Sequence, residues 1–192
     1  MALTPSSMLP LGTPAPDFEL PDTVTGRIVR RDDLGAAAGL LVLFMCNHCP
    51  YVVHVRAELA RLGRHCEELG VAMVGISSND VAARPEDGPE AMAREAKAQG
   101  YVFPYLFDET QEVAKAYQAA CTPEAYLFDA HRRLVYRGQL DDSRPGNGIE
   151  PSGRDVRAAL DALLAGREVD PEQTPSIGCN IKWKPGNAPH YG

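Results

Sequence analysis

Three hydrophobic patterns follow one another along the chain. The first is an unbroken apolar run, Leu40-Leu41-Val42-Leu43-Phe44-Met45, repeated over Val71 to Ile76. A strand loses its in–out alternation when both faces are covered, so each run predicts a buried strand in a sheet flanked by helices. The second is a step of three and four. Val52, Val55, Leu59, Leu62, Cys66 and Leu69 mark one face of a long helix that Gly70 stops. Val156, Leu160, Leu163 and Leu164 mark a last amphipathic helix ended by Gly166. Pro89 to Gln99, with Pro at its start and Gly100 just past its end, predicts a surface helix, and Glu109 to Gln118 predicts another. The third pattern is a short apolar segment between turn residues. Phe18–Leu20 and Arg27–Arg30 flank a turn at Asp22 to Gly26, and Tyr105–Phe107 reads as a short strand. Glu124–Phe128 and Arg133–Arg137 read as a hairpin around Asp129 to Arg132. Residues 1–16, rich in Pro, Ser and Thr, predict an irregular arm. Residues 167–192, with Pro at 171, 175, 185 and 189 and no periodicity, predict an irregular Pro-rich tail.

Strands alternating with helices imply an α/β sandwich with a largely parallel inner sheet, to which the late hairpin adds antiparallel edge strands. A chain of 192 residues suits one domain. Its 44% hydrophobic and 23% charged residues are those of a globular protein, not a disordered one. No apolar run approaches the roughly 18 residues of a membrane helix. The net charge of −7 and the absence of a basic face argue against a nucleic-acid partner. The first residues lack a basic start followed by an apolar core, so no secretory signal is expected and the expected compartment is the reducing cytosol. Five cysteines (46, 49, 66, 121, 179) are too few for a disulfide scaffold in a chain this long. In a reducing compartment a close pair points instead to catalysis or metal binding.

That pair is Cys46-Asn47-His48-Cys49, at the junction between the first buried strand and the long helix. Ligand and catalytic groups collect at such junctions. Two intervening residues wound into a first helical turn would bring both sulfurs within disulfide reach. The helix amino end supplies unpaired N–H groups and positive potential, which stabilise a thiolate, the form that attacks a disulfide. His48 adds charge or a hydrogen bond, and Pro50 suits an early helical position. Two inert readings compete: buried cysteines acting as small hydrophobes, and a structural zinc. Zinc needs four ligands, and the spare candidates are His48, His54, His65 and Cys66. Cys66 lies roughly 25 Å along the helix from Cys49, beyond the reach of one ion, so no metal is expected. Cys66 sits on the apolar stripe and reads as core.

The same residues resemble a known superfamily. Pro16-Asp17-Phe18-Glu19-Leu20, Gly26, the Leu40–Met45 strand and Cys46-Asn47-His48-Cys49 look like the amino half of thioredoxin-fold redoxins. Thr122-Pro123 before Tyr126-Leu127-Phe128-Asp129 is similar to the cis-proline loop of that fold. The resemblance implies a thioredoxin-like three-layer sandwich with a central mixed sheet, an N-terminal β-hairpin extension, and Pro123 in cis facing the sulfurs. A narrower likeness, carried by His48-Cys49-Pro50-Tyr51-Val52, Tyr136 to Pro145 and Gly178-Cys179-Asn180-Ile181-Lys182-Trp183-Lys184, is to peroxiredoxin-like thioredoxin-family proteins.

Two chemistries follow from the resemblance. In thioredoxin-like exchange, Cys46 is the exposed nucleophile and Cys49 resolves the mixed disulfide. Asn47, His48, Thr122 and Pro123 shape the site. Substrates would be disulfide-containing proteins or small molecules, the electron source a thiol reductant, and no cofactor is needed because the pair itself carries two electrons. In peroxiredoxin chemistry, Cys49-Pro50 matches the peroxide-reducing cysteine. Cys46 then stands where that family has Thr or Ser, and Val42 where it has a Pro that shields the thiolate. Disulfide exchange is therefore the favoured expectation. A copper-binding redoxin-fold protein using Cys46, Cys49 and a His is a further alternative, since soft thiolates suit Cu(I). Cys179 is expected either as a third redox thiol or as part of a tail motif that packs Ile181 and Trp183 onto the body.

Overall fold

β4 (Gly39–Phe44) runs through the middle of a five-stranded sheet, and its neighbours explain its sequence. The structure is a computed structural model that describes residues 3–34 and 37–191. The sheet order is β6 (Tyr105–Phe107), β5 (Ala72–Ser77), β4, β8 (Glu124–Asp129), β9 (Leu134–Gly138). β4, β5 and β6 are parallel, while β8 and β9 are antiparallel, so the sheet is mixed, as expected.

Successive side chains of a strand point to opposite faces, and here both faces are covered. Leu41, Leu43 and Met45 pack with residues of α1 (Pro50–Glu68), α2 (Pro89–Gln99) and α4 (Arg154–Leu164). Leu40, Val42 and Phe44 pack on the other side with Phe18, Leu20 and α3 (Glu112–Ala116). This second layer holds an aromatic group in which Phe44, Tyr117, Tyr126 and Phe128 meet tilted or edge-on, with ring centroids 5.5 to 5.9 Å apart. No helix among the described residues is long and apolar enough to cross a membrane.

The helix boundaries follow local chemistry. α1 starts with Pro50 at its first position and stops before Gly70, at φ +69°. α2 ends on Gly100 in the left-handed region that glycine accepts without strain. α3 is shorter than the expected Glu109 to Gln118. Gln111 takes a left-handed φ of 66°, its amide spent on the carbonyls of Ser78 and Lys182, so the helix begins only after it.

The arm and tail depart from expectation. Both were expected to be irregular, yet each contributes a strand. β1 (Leu3–Pro5) pairs antiparallel with β10 (Ile177–Asn180), which pairs with β7 (Cys121–Thr122). Pro-rich surroundings hide β1 and β10, and their partners lie at opposite ends of the chain. The expected N-terminal hairpin forms between β2 (Glu19–Pro21) and β3 (Ile28–Arg30). Its turn is closed by the Asp22 carboxylate, which accepts from the backbone N–H groups of Val24 and Thr25 and from the Thr25 hydroxyl.

Candidate active site

Cys46-Asn47-His48-Cys49 is a bend between β4 and α1, not the first turn of the helix that the spacing suggested. The difference is one of register. α1 begins at Pro50, so Cys49 is its cap, with φ −67° and ψ 122°, and Cys46 lies outside the helix. A single carboxylate holds the bend. Asp87 closes a short 3-10 turn (Pro85–Asp87) and is wholly buried. It accepts from the backbone N–H groups of Asn47 (2.8 Å) and His48 (3.1 Å) and from the Asn79 amide (2.8 Å). It also accepts from the His48 ring at Nδ1. Burial works against its charge, but the hydrogen bonds from His48 and Asn79 outweigh burial and hold the carboxyl below its usual range. Asn47 is tied down further, donating to the Glu86 carbonyl (2.8 Å) and accepting from the Tyr105 hydroxyl (3.1 Å).

The Thr122-Pro123 peptide is cis, and Thr122 reaches both sulfurs. Its hydroxyl lies 3.4 Å from Cys46 Sγ and its carbonyl oxygen 3.3 Å from Cys49 Sγ. The Cys46 sulfur is also 3.8 Å from His48 Nδ1.

The two thiols are unlike in acidity. Cys49 is pulled down to about 4, and its interaction with the neighbouring Cys46 thiol leads the causes. Burial opposes the shift, while the Cys179 thiol, Thr122 and the backbone N–H of Val52, in the first turn of α1, add to it. Cys46 goes the other way. Burial, the proton it shares with Cys49 and the nearby Asp87 charge push it well above the usual thiol range. The expectation of an exposed, primed Cys46 therefore needs correction. Cys46 is 1% exposed and Cys49 0%, and the helix amino end favours the anion at Cys49.

The structure gathers the remaining expected residues at the same corner. Asn47 and His48 form the half-buried outer side of the bend. Cys179, on β10, lies opposite Thr122 in the strand register and packs in one apolar cluster with Cys46 and Cys49. Cys66 stays apart from this corner, while Cys121 adjoins it through Thr122. Burial pushes Cys66 up to about 12, and burial with the adjacent Glu124 raises Cys121 further.

Cys46 Sγ, His48 Nδ1 and an Asp87 oxygen lie within 4.8 Å of one another and could hold a cation. The ring nitrogen and the carboxylate are already each other's hydrogen-bond partners, so an ion would have to part them. No motif pointed to Asp87, Asn79 or Tyr105. The signal that could have found the first two is positional: both follow the carboxyl end of β5, beside that of β4, where functional groups of parallel sheets gather.

Residues 11–137 match the AhpC/TSA family. A solved uncharacterized conserved protein from Geobacillus kaustophilus is 55% identical with a TM-score of 0.95, the alignment covering 97% of this chain and 98% of that one. A hypothetical protein from Sinorhizobium meliloti 1021 is 51% identical with a TM-score of 0.93, covering 95% and 100%. The thiol:disulfide interchange protein DsbE of Allochromatium vinosum is 29% identical over 146 residues, 72% of each chain. The fold, seen too in more distant solved structures, is thioredoxin-like, and on it this chain belongs to the AhpC/TSA family.

Proposed function

We propose that this chain is a thiol–disulfide oxidoreductase in which Cys49 is the attacking thiolate and Cys46 the resolving thiol. The observation that carries this reading is the position of Cys49 as the amino cap of α1, beside Cys46 and against the Thr122 loop. The helix amino end favours the anion at Cys49, while burial keeps Cys46 protonated. The Cys49 thiolate attacks a substrate disulfide, forms a mixed disulfide and releases one substrate thiolate. Cys49 is then neutral, which removes part of what raises the proton affinity of Cys46. Cys46 attacks Cys49, the Cys46–Cys49 disulfide forms, and its proton goes to the second substrate thiolate. A thiol reductant reverses the change. The substrate class is a protein or small-molecule disulfide. The test is trapping. Cys46→Ser should accumulate mixed disulfides through Cys49, and Cys49→Ser should accumulate none. The reverse pattern would restore Cys46 as nucleophile.

A second reading, peroxide reduction at Cys49, is favoured by its complete burial. A peroxide reaches a closed thiolate more readily than a folded client does. The thiolate would take one peroxide oxygen to become sulfenic acid, the other leaving as hydroxide that is protonated to water. Cys46 would then condense with the sulfenic acid to form the Cys46–Cys49 disulfide, releasing a second water. Rapid hydrogen peroxide turnover, with slow reduction of protein and small-molecule disulfides alike, would select this reading.

A further inference from the structure

We propose that Cys179 is a second resolving thiol for Cys49, so that the site holds one disulfide movable between Cys46–Cys49 and Cys49–Cys179. This rests on Cys49 being the reactive sulfur of the proposed function.

Three placements carry it. β10 pairs with β7 so that Cys179 is the register partner of Thr122, the residue that touches both other sulfurs. The approach is close. A Cβ on Gly178 would lie 2.0 Å from the Thr122 carbonyl oxygen, so only glycine lets the tail strand press this far into the cis-proline loop. Cys179 is 2% exposed and shares its apolar cluster with Cys46 and Cys49, so it is shut from water among the residues that hold the pair. Cys49 then has a thiol neighbour from its own bend and another from the far end of the chain.

The tail is built to stay there. Lys182 donates its backbone N–H to Asn79 and accepts from that of Asp80, Ile181 donates to the Ala120 carbonyl, and Lys184 donates to Gln111. Asn79 also donates to Asp87, so the clamp on the tail and the clamp on the bend share a residue.

The relay is isoelectronic. Starting from the Cys46–Cys49 disulfide, the Cys179 thiolate attacks the Cys49 sulfur. The Cys49–Cys179 bond forms, the Cys46–Cys49 bond breaks, and Cys46 leaves as a thiolate that takes the proton Cys179 gave up. No outside oxidant or reductant enters. Burial first, then the hydrogen bonding and charge of Cys49, keep Cys179 protonated, at about 12, in the reduced site. Oxidation of the pair removes that charge, so Cys179 becomes easier to ionise when it is needed. The chemical consequence is that Cys46 regains a free thiol beside His48 while the tail strand becomes covalently tied to α1.

The experiment is disulfide mapping on the full chain. Wild type, Cys46→Ser and Cys179→Ser are equilibrated with oxidised glutathione, quenched in acid, alkylated and digested without reduction for mass spectrometry. The relay predicts both linkages in wild type, Cys49–Cys179 as the main product of Cys46→Ser, and only Cys46–Cys49 in Cys179→Ser. Glutathione on Cys49 with Cys179 alkylated throughout Cys46→Ser would overturn the relay while leaving the pair intact. Absence of any Cys49 disulfide from wild type would overturn both. Should Cys46→Ser fail to fold, the wild-type map decides: a Cys49–Cys179 peptide supports the relay, and its complete absence beside Cys46–Cys49 overturns it.

Discussion

Cys49 and Cys66 share a helix and are both wholly buried, yet their protons are held very differently. Cys66 lies in the last turn of α1, where burial dominates and pushes it up to about 12. Cys49 caps the same helix, where thiol donors from two elements and a first-turn N–H pull it down to about 4 against burial. Burial alone therefore does not set the chemistry of a cysteine. What decides is whether donors are aimed at the sulfur, and the amino end of a helix has spare N–H groups while its carboxyl end has only spare carbonyls.

The largest test of this contrast removes the reactive sulfur. Cys49→Ser should abolish disulfide turnover and mixed-disulfide trapping, whereas Cys66→Ala leaves both unchanged, as read by insulin-disulfide or glutathione assays. Next is the clamp on the bend. Asp87→Ala leaves the buried His48 ring and several N–H donors without their acceptor and should cost about 3–5 kcal/mol in a urea titration. Asp87→Asn, which keeps the shape, should lower the alkylation midpoint of Cys46 because the charge that opposes its ionisation is gone. Smaller again is Gly178→Ala. Its methyl group meets the Thr122 carbonyl, and pushing the tail strand off the cis-proline loop should cost about 1–3 kcal/mol. The smallest static effect is Cys66→Ala, about 1 kcal/mol.

Acidity sharpens the comparison because the two cysteines should respond to pH with opposite sign. The folded state depresses Cys49 to about 4, against about 8.5 in an unfolded chain. Its contribution to stability is then full above about pH 8.5 and fades as pH falls towards about 4. The folded state raises Cys66 to about 12. Its contribution is full below about pH 8.5 and is lost as pH climbs towards about 12. Denaturation midpoints against pH for wild type, Cys49→Ser and Cys66→Ala separate the two. A Cys49→Ser difference that does not shrink on acidification would break the thiolate assignment.

Much of the architecture was legible where one element spans several periods. The α1 stripe from Val52 to Leu69 and the unbroken Leu40–Met45 run each repeat enough to reveal their environment. β1 and β10 were illegible because each lies in a Pro-rich segment with no turn leading to a neighbouring strand, and neither predicts a partner at the opposite terminus. At the site, Cys46, Cys49 and Thr122-Pro123 were found from spacing and resemblance. Asp87 was not, since an acidic residue ahead of Gly88-Pro89 reads as an ordinary loop until the chain folds it under Asn47 and His48.

Local order along the chain was enough to place a cysteine pair where a buried strand hands over to a helix, because strand, bend and helix are contiguous and their side-chain periods are written in neighbouring positions. Which sulfur carries the charge was a tertiary decision. It depends on the residue at which the helix begins, on a carboxylate from a distant turn and on a thiol from the far end of the chain. Electrostatic and hydrogen-bond effects act over a few ångströms of space, and residues that far apart along the chain reach that distance only once it is folded.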